Sequence, residues 1–186
     1  VNNIVQLKKD FDKKGFDPGA SGLKIICWYL VSLLFFRSGL MPISSVLVAI
    51  LRLFGAKIGI DVRIKPYLYI HYPWRLTIGN HTWLADCRIE NLANVTIGDH
   101  VCISQKAMLL TGNHDYKKVG FDLITKEIIL ENGVWIGANA TVCPGITAHS
   151  HAVLTVGSVA TRNLEAYSIY QGNPAVKVKN RVILAD

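Results

Sequence analysis

The stretch LENGVWIGANATVCPGITAHSHAVLTVGSVATRNL, residues 130–164, repeats in sixes. Leu130, Ile136, Val142, Ala148, Leu154 and Ala160 stand six residues apart through five intervals. A small or branched residue follows each of the first five at a constant distance of four: Val134, Ala140, Ile146, Ala152 and Ser158. A helix repeats at about 3.6 residues and a strand at about two, so neither accounts for a strict six. A chain that runs a short strand, turns a corner and starts again does account for it, with one side chain per strand aimed inward. Three such strands close a coil of about eighteen residues, and a coil buries its inward residues only when others stack on it.

The same phase runs upstream with interruptions. Ile97, Ile103 and Leu109 make one coil, Ile78 and Leu84 belong to the coil before, and Ile58, Ile64 and Ile70 make an earlier one. Ile-Gly opens a hexad at Ile58, Ile78, Ile97 and Ile136, where glycine suits a close approach at a corner. The phase slips by two between Ile70 and Ile78 and by one between Leu84 and Ile97, which predicts bulges there. Residues 112–127 break the ladder altogether. A loop of that length within a compact domain is commonly functional. The fold expected is an all-β solenoid, a parallel β-helix over residues 55–186 with loop 112–127 extruded and a tail over 165–186.

Residues 1–22 are polar with Gly and Pro and read as an extended arm. Two apolar runs follow, 23–36 and 43–54, each shorter than the roughly 20 residues a spanning helix needs. Residues 1–54 therefore predict an arm and a helical pair covering the open end of the solenoid. A second reading, compatible with the first, lays part of residues 23–54 on a membrane surface, with Lys24, Arg37, Arg52 and Lys57 near the headgroups. Acidic residues in the leading region, and no small-x-small site after Phe36, disfavour a signal peptide.

Twenty Lys+Arg against thirteen Asp+Glu give a net charge of +7, which favours anionic small ligands or a membrane surface. No helix-turn-helix, zinc or aromatic-stacking motif supports nucleic acid as a partner. The four cysteines show no C-x-x-C and no framework spacing, which fits a reducing, cytoplasmic setting, with peripheral contact at the inner face of the cytoplasmic membrane as the variant.

Thr111-Gly112-Asn113-His114-Asp115, then Gly133-Val134-Trp135-Ile136-Gly137-Ala138 and Val142-Cys143-Pro144-Gly145-Ile146, resemble the hexapeptide-repeat acyltransferases. Within them the chain is similar to the O-acetyltransferases of the maltose, galactoside and nodulation-factor type. It is closer still to the branch associated with colanic acid and other exopolysaccharides. Gly157-Ser158-Val159 and Gly172-Asn173-Pro174-Ala175-Val176-Lys177 match that family's C-terminal signature, and the resemblance covers residues 55–183.

The resemblance implies a left-handed β-helix, a homotrimer, and acetyl-coenzyme A as co-substrate in a groove between neighbouring solenoids, with no metal required. It places His114 as the catalytic base. Asp86, Asn113, Asp115 and Trp135 become candidates for binding a carbohydrate acceptor, and Asp115 also for orienting His114. Ala138, Gly157, Ser158, Thr161, Arg162, Lys177 and Lys179 become candidates for acetyl-coenzyme A, the cations for its phosphates. The family usually writes Ile-Gly where this chain has Ala148-His149 and Leu154-Thr155, and a small Ala where it has Val156. A bulkier wall along the pantetheine path is expected there. N-acetylation of an amino sugar or sugar nucleotide, and a catalytically silent scaffold, are the two rival readings.

Overall fold

The computed structural model of this chain describes residues 4–7 and 15–185, so the arm expected over residues 1–22 lies partly outside the described residues. The body is a parallel β-solenoid with five complete turns and a partial sixth, a left-handed β-helix of three faces. The first face stacks Lys57–Ile58, Leu76–Ile78, Val95–Ile97, Ile128–Leu130 and Thr147–Ala148. The second stacks Arg63–Ile64, Trp83–Leu84, Cys102–Ile103, Trp135–Ile136 and Val153–Leu154. The third stacks Tyr69–Ile70, Arg88–Glu90, Met108–Leu110, Thr141–Val142 and Val159–Ala160.

The inward positions read from the hexads form three columns in register. Ile78 pairs with Ile97, Ile97 with Leu130 and Leu130 with Ala148 on the first face. Ile64, Leu84, Ile103, Ile136 and Leu154 line up on the second, and Ile70, Ile89, Leu109, Val142 and Ala160 on the third. All of these are buried. Each turn satisfies the strand hydrogen bonds of the next, so the structure grows along one axis and needs covering only at its ends.

The glycines of the Ile-Gly pairs have a specific cause. A Cβ on Gly79 would stand 2.5 Å from the backbone carbon of Gly98 and 2.7 Å from the Asp99 nitrogen, one turn on. Asn80, Asp99 and Asn132 fill the spaces at Gly59, Gly79 and Gly98 and do structural work there: their Oδ1 atoms accept from Ile60 N at 2.9 Å, Asn80 N at 2.6 Å and Asp99 N at 2.9 Å. An outward corner side chain thus ties the second, third and fourth turns each to the one before it.

The phase slips resolve into a rule about corners. From Ile70 to Ile78, and again from Ile89 to Ile97, the chain takes eight residues instead of six, both times passing from the third face to the first. The slip of one between Leu84 and Ile97 is the sum of that insertion and a one-residue deletion before Ile89. The extruded loop leaves from the same corner, between Leu110 and Ile128.

The apolar runs form helix α1 (Gly22–Val31), a π-helical turn Ser32–Arg37 and helix α2 (Ser44–Leu53). Ser21 caps α1 by accepting from Lys24 N. Trp28, Phe36, Leu47, Val48 and Leu51 are buried and continue the solenoid's own core. The first turn has no turn before it, and the helices supply its missing partners. Ser44 Oγ donates to Val62 O and accepts from Ile64 N, while Arg52 Nη2 donates to Ile58 O and Gly59 O at 2.9 and 2.7 Å. Among the described residues, no helix is long and apolar enough to cross a membrane.

At the far end, Ser168–Gly172 adds to the second face in parallel and turns into the antiparallel strand Ala175–Asn180. Arg181 Nη1 donates to Gly133 O at 2.8 Å and pins this tail to the body.

Candidate active site

The loop is a hairpin. Gly112–His114 pairs antiparallel with Leu123–Thr125, His114 opposite Leu123. Gly112, where the hairpin leaves the body, packs against Leu92: a Cβ there would stand 2.7 Å from Leu92 Cδ1. The His114 ring stacks on Phe121 with centroids 4.5 Å apart and an interplanar angle of 10°. Its Nδ1 lies 2.8 Å from the Phe121 carbonyl oxygen, which can only accept, so Nδ1 carries the proton. Nε2 of the neutral ring is left with its lone pair free, the form a general base requires. The ring is half-buried.

Asn113 is exposed, and its Oδ1 accepts from His114 N at 2.8 Å. Asp115 was expected either to orient His114 or to meet the acceptor. The orienting contact belongs to Phe121, while Asp115 accepts from Lys117 N at 3.2 Å and faces Lys118 Nζ at 3.8 Å. Lys118 also reaches Asp122, at 3.4 Å, so the tip of the hairpin is braced by its own charges. Nothing in the sequence singles out Phe121, since its carbonyl acts through the turn of the hairpin rather than through residue type.

The other candidates separate into three places. Asp86, Ala138, Gly157 and Ser158 follow one another along the corner between the second and third faces: Lys106 N donates to Asp86 O, and Gly157 N to Ala138 O. Trp135 projects from the second face beside them, 47% exposed, with Nε1 donating to Ser104 Oγ at 3.0 Å. Ser158 is buried; its hydroxyl meets Thr155 Oγ1 at 3.0 Å and accepts from Gly172 N at 3.0 Å. Val156 beside it is exposed and Thr155 half-buried. Thr161 and Arg162 are exposed just after the last third-face strand, in the same corner, on the last turn, that the histidine hairpin leaves from. Lys177 and Lys179 project from the last strand, Lys177 bound to Glu165 at 2.8 Å.

Within one chain, then, His114 and the Asp86–Ala138–Gly157 corner lie at opposite edges of the third face. Trp83 occupies on the second face the place that Trp135 occupies two turns on, and it is exposed. The recurrence of Trp before an inward aliphatic, Trp83-Leu84 and Trp135-Ile136, was the signal for it in the sequence. Cys102 stands between the two in the ladder, and burial raises its thiol pKa. His149 bonds Glu131 at 3.0 Å and His151 stacks on Tyr167, so both are engaged within the solenoid corner. Among the described residues, no group of three or more His, Cys, Asp or Glu converges to hold a metal.

A three-faced hexapeptide solenoid with a histidine-bearing hairpin extruded at one corner defines a class, the left-handed β-helix acyltransferases. No family model matches the chain. It is, however, 36% identical over 170 residues to the Escherichia coli K12 protein named for colanic acid biosynthesis, the acetyltransferase WcaF, across 91% of this chain and 93% of that protein. The chain belongs to this family of hexapeptide-repeat acetyltransferases and is an acyltransferase. It is also 29% identical over 124 residues to the galactoside O-acetyltransferase of Escherichia coli K12, covering 64% of this chain and 61% of that one. Among solved structures, a hexapeptide-repeat acetyltransferase from Vibrio cholerae, complexed with acetyl-coenzyme A, superposes with a TM-score of 0.80 at 23% identity, over 94% of this chain and 97% of that one.

Proposed function

We propose that the chain transfers an acetyl group from acetyl-coenzyme A to a hydroxyl of a carbohydrate that enters a cell-surface polysaccharide, with His114 as general base. The observation that carries this reading is the Nδ1 contact to the Phe121 carbonyl, which fixes the tautomer and leaves the lone pair of the neutral ring on Nε2. Nε2 takes the proton of the acceptor hydroxyl as its oxygen attacks the thioester carbonyl. The tetrahedral intermediate collapses with loss of the carbon–sulfur bond, and the imidazolium returns its proton to the departing thiolate. General-base assistance of this kind is typically worth about 10²–10⁴ in rate, and holding both substrates side by side supplies much of the remainder. The relatives named for colanic acid and galactoside acetyltransfer support a carbohydrate acceptor, and the complexed structural neighbour supports acetyl-coenzyme A.

The same reading calls for a homotrimer. His114 and the Asp86–Ala138–Gly157 corner lie at opposite edges of one face, so a cyclic neighbour would set the hairpin of one copy against the corner of the next. In that arrangement Asn113, Asp115, Asp86 and Trp135 would meet the acceptor, and Ala138, Gly157, Ser158, Thr161, Arg162, Lys177 and Lys179 would flank the coenzyme.

The helical cap supports a peripheral membrane contact. Leu23, Ile26, Leu30 and Leu34 form an exposed stripe, and residues 22–60 contain Lys24, Arg37, Arg52 and Lys57 but no Asp or Glu. Co-sedimentation with phosphatidylglycerol vesicles, reduced in Leu30→Glu/Leu34→Glu, is the expected result; equal sedimentation of both proteins would remove the stripe from that role.

The test of the catalytic reading is thiol release from acetyl-coenzyme A across a panel of saccharides and amino sugars. Acceptor-dependent release with hydroxyl acceptors is expected. Release only with amino sugars would make the chain an N-acetyltransferase. Failure to bind acetyl-coenzyme A would leave a silent scaffold.

A further inference from the structure

Three adjoining cavities meet at Trp83 on the second face. The largest, about 720 Å³, lies between α2 and the first turn and is lined by Ser44, Arg52, Asp61 and Arg63 among others. A second, about 420 Å³, follows the corner past His81 and His100. A third, about 170 Å³, runs from Arg63 and Lys65 past Cys102 to Ser104. Trp83 lines all three, and Arg63, Asp61 and Cys102 each line two, so the three make one groove.

The groove has length, an aromatic platform and a charge. Arg63, Trp83, Cys102 and Trp135 follow one another in the ladder, three strand spacings or about 14 Å, room for more than one sugar ring. Trp83 is 55% exposed, a flat apolar surface with the Arg63 guanidinium 5.7 Å from its ring centroid. The cations lining the groove are Arg52, Arg63 and Lys65; the one acid is Asp61, already bound to His81 Nδ1 at 3.0 Å. Arg52 spends one nitrogen on the carbonyls of Ile58 and Gly59, and a guanidinium keeps its charge whatever it bonds.

We infer that this groove holds an anionic saccharide several units long, one ring stacked on Trp83 and an acidic group, carboxylate or phosphate, against Arg63 and Lys65. The inference rests on the carbohydrate-acceptor reading and narrows it: the acceptor is a charged oligosaccharide rather than a neutral mono- or disaccharide. The basic balance of the whole chain, +7, is scattered in the sequence apart from Lys8-Lys9, Lys13-Lys14 and Lys177, Lys179 and Arg181, and here the fold brings three further cations to one surface.

Calorimetric titration of the full chain, without acetyl-coenzyme A, tests this. The probes are galacturonic and glucuronic tetrasaccharides, each set against its own methyl ester, so that only the charge differs. At low salt the acid forms are expected to bind about tenfold tighter than the esters. The preference should vanish in Arg63→Gln/Lys65→Gln, the acid forms then binding no tighter than their esters. Glucose 1-phosphate against glucuronate, as competitors, separates phosphate from carboxylate as the preferred acid. Equal binding of acids and esters, a preference that survives the double substitution, or no binding of any probe would overturn the inference. Because no acetyl transfer is read, chains that bind the acids but transfer nothing would sink the catalytic reading alone. Chains that acetylate neutral sugars with no charge preference would sink this inference alone.

Discussion

His114 and Phe121 are joined twice, by a hydrogen bond from Nδ1 to the Phe121 carbonyl at 2.8 Å and by a ring stack at 4.5 Å. The two contacts constrain different things. The bond selects the tautomer, and the stack holds the plane of the ring that the bond alone would let swing.

Phe121→Ala keeps the carbonyl and removes the stack, so the base should be present but loosely aimed. A fall in kcat of about 10- to 100-fold, with acetyl-coenzyme A affinity unchanged, is expected from steady-state kinetics and calorimetry. An unchanged kcat would assign the stack to hairpin folding only.

The glycine at a corner is fixed by a neighbour's backbone, which cannot swing aside as a side chain can. Gly79→Ala places its Cβ 2.5 Å from the Gly98 carbonyl carbon, and a loss of about 1–3 kcal/mol is expected in urea unfolding. Gly22→Ala, where a Cβ meets nothing within 4 Å, is the control and should cost far less.

The columns of inward aliphatics, the N-terminal helical pair and the extruded loop were all legible in the sequence, because each is a statement about periodicity or its interruption. The corner rule was not. A slip of one between Leu84 and Ile97 hides a deletion and an insertion that only pairing separates, with Ile89 as the inward residue between them. Of the proposed site, the motif singles out His114 and Trp135 in the sequence. Phe121 was invisible because a carbonyl oxygen is common to every residue. The groove at Trp83 was invisible because Arg52, Arg63 and Lys65 come from α2 and two positions of the first turn, and only stacking brings them to one surface.

Glu90 lies outside the third face between His71, with Nδ1 at 3.2 Å, and Arg88, with Nε at 2.7 Å. The hydrogen bond from His71, then those from Arg88, hold its carboxyl below its ordinary value of 4.5. A carboxyl whose folded pKa is depressed stabilises the fold above its unfolded pKa and loses that contribution as pH falls through the folded value. Glu90→Gln should therefore lower Tm at pH 7, and the gap to the parent should close as pH drops below 4.5. A gap independent of pH would mean the loss is one of packing.

Alkylation should separate the cysteines by environment. Cys87 is fully buried and its thiol is pushed up to about 12, while Cys102 and Cys143 are raised by burial as well. Cys27 is exposed on α1. Iodoacetamide at neutral pH is expected to label Cys27 first and Cys87 only on unfolding, as read by peptide mass spectrometry.

The most direct test of the account is kcat for acceptor-dependent thiol release in His114→Ala, measured beside its affinity for acetyl-coenzyme A. A fall of about 10² or more with affinity preserved is predicted, since the imidazole acts in the transition state and not in holding the coenzyme. Release at the parent rate in His114→Ala would contradict the account.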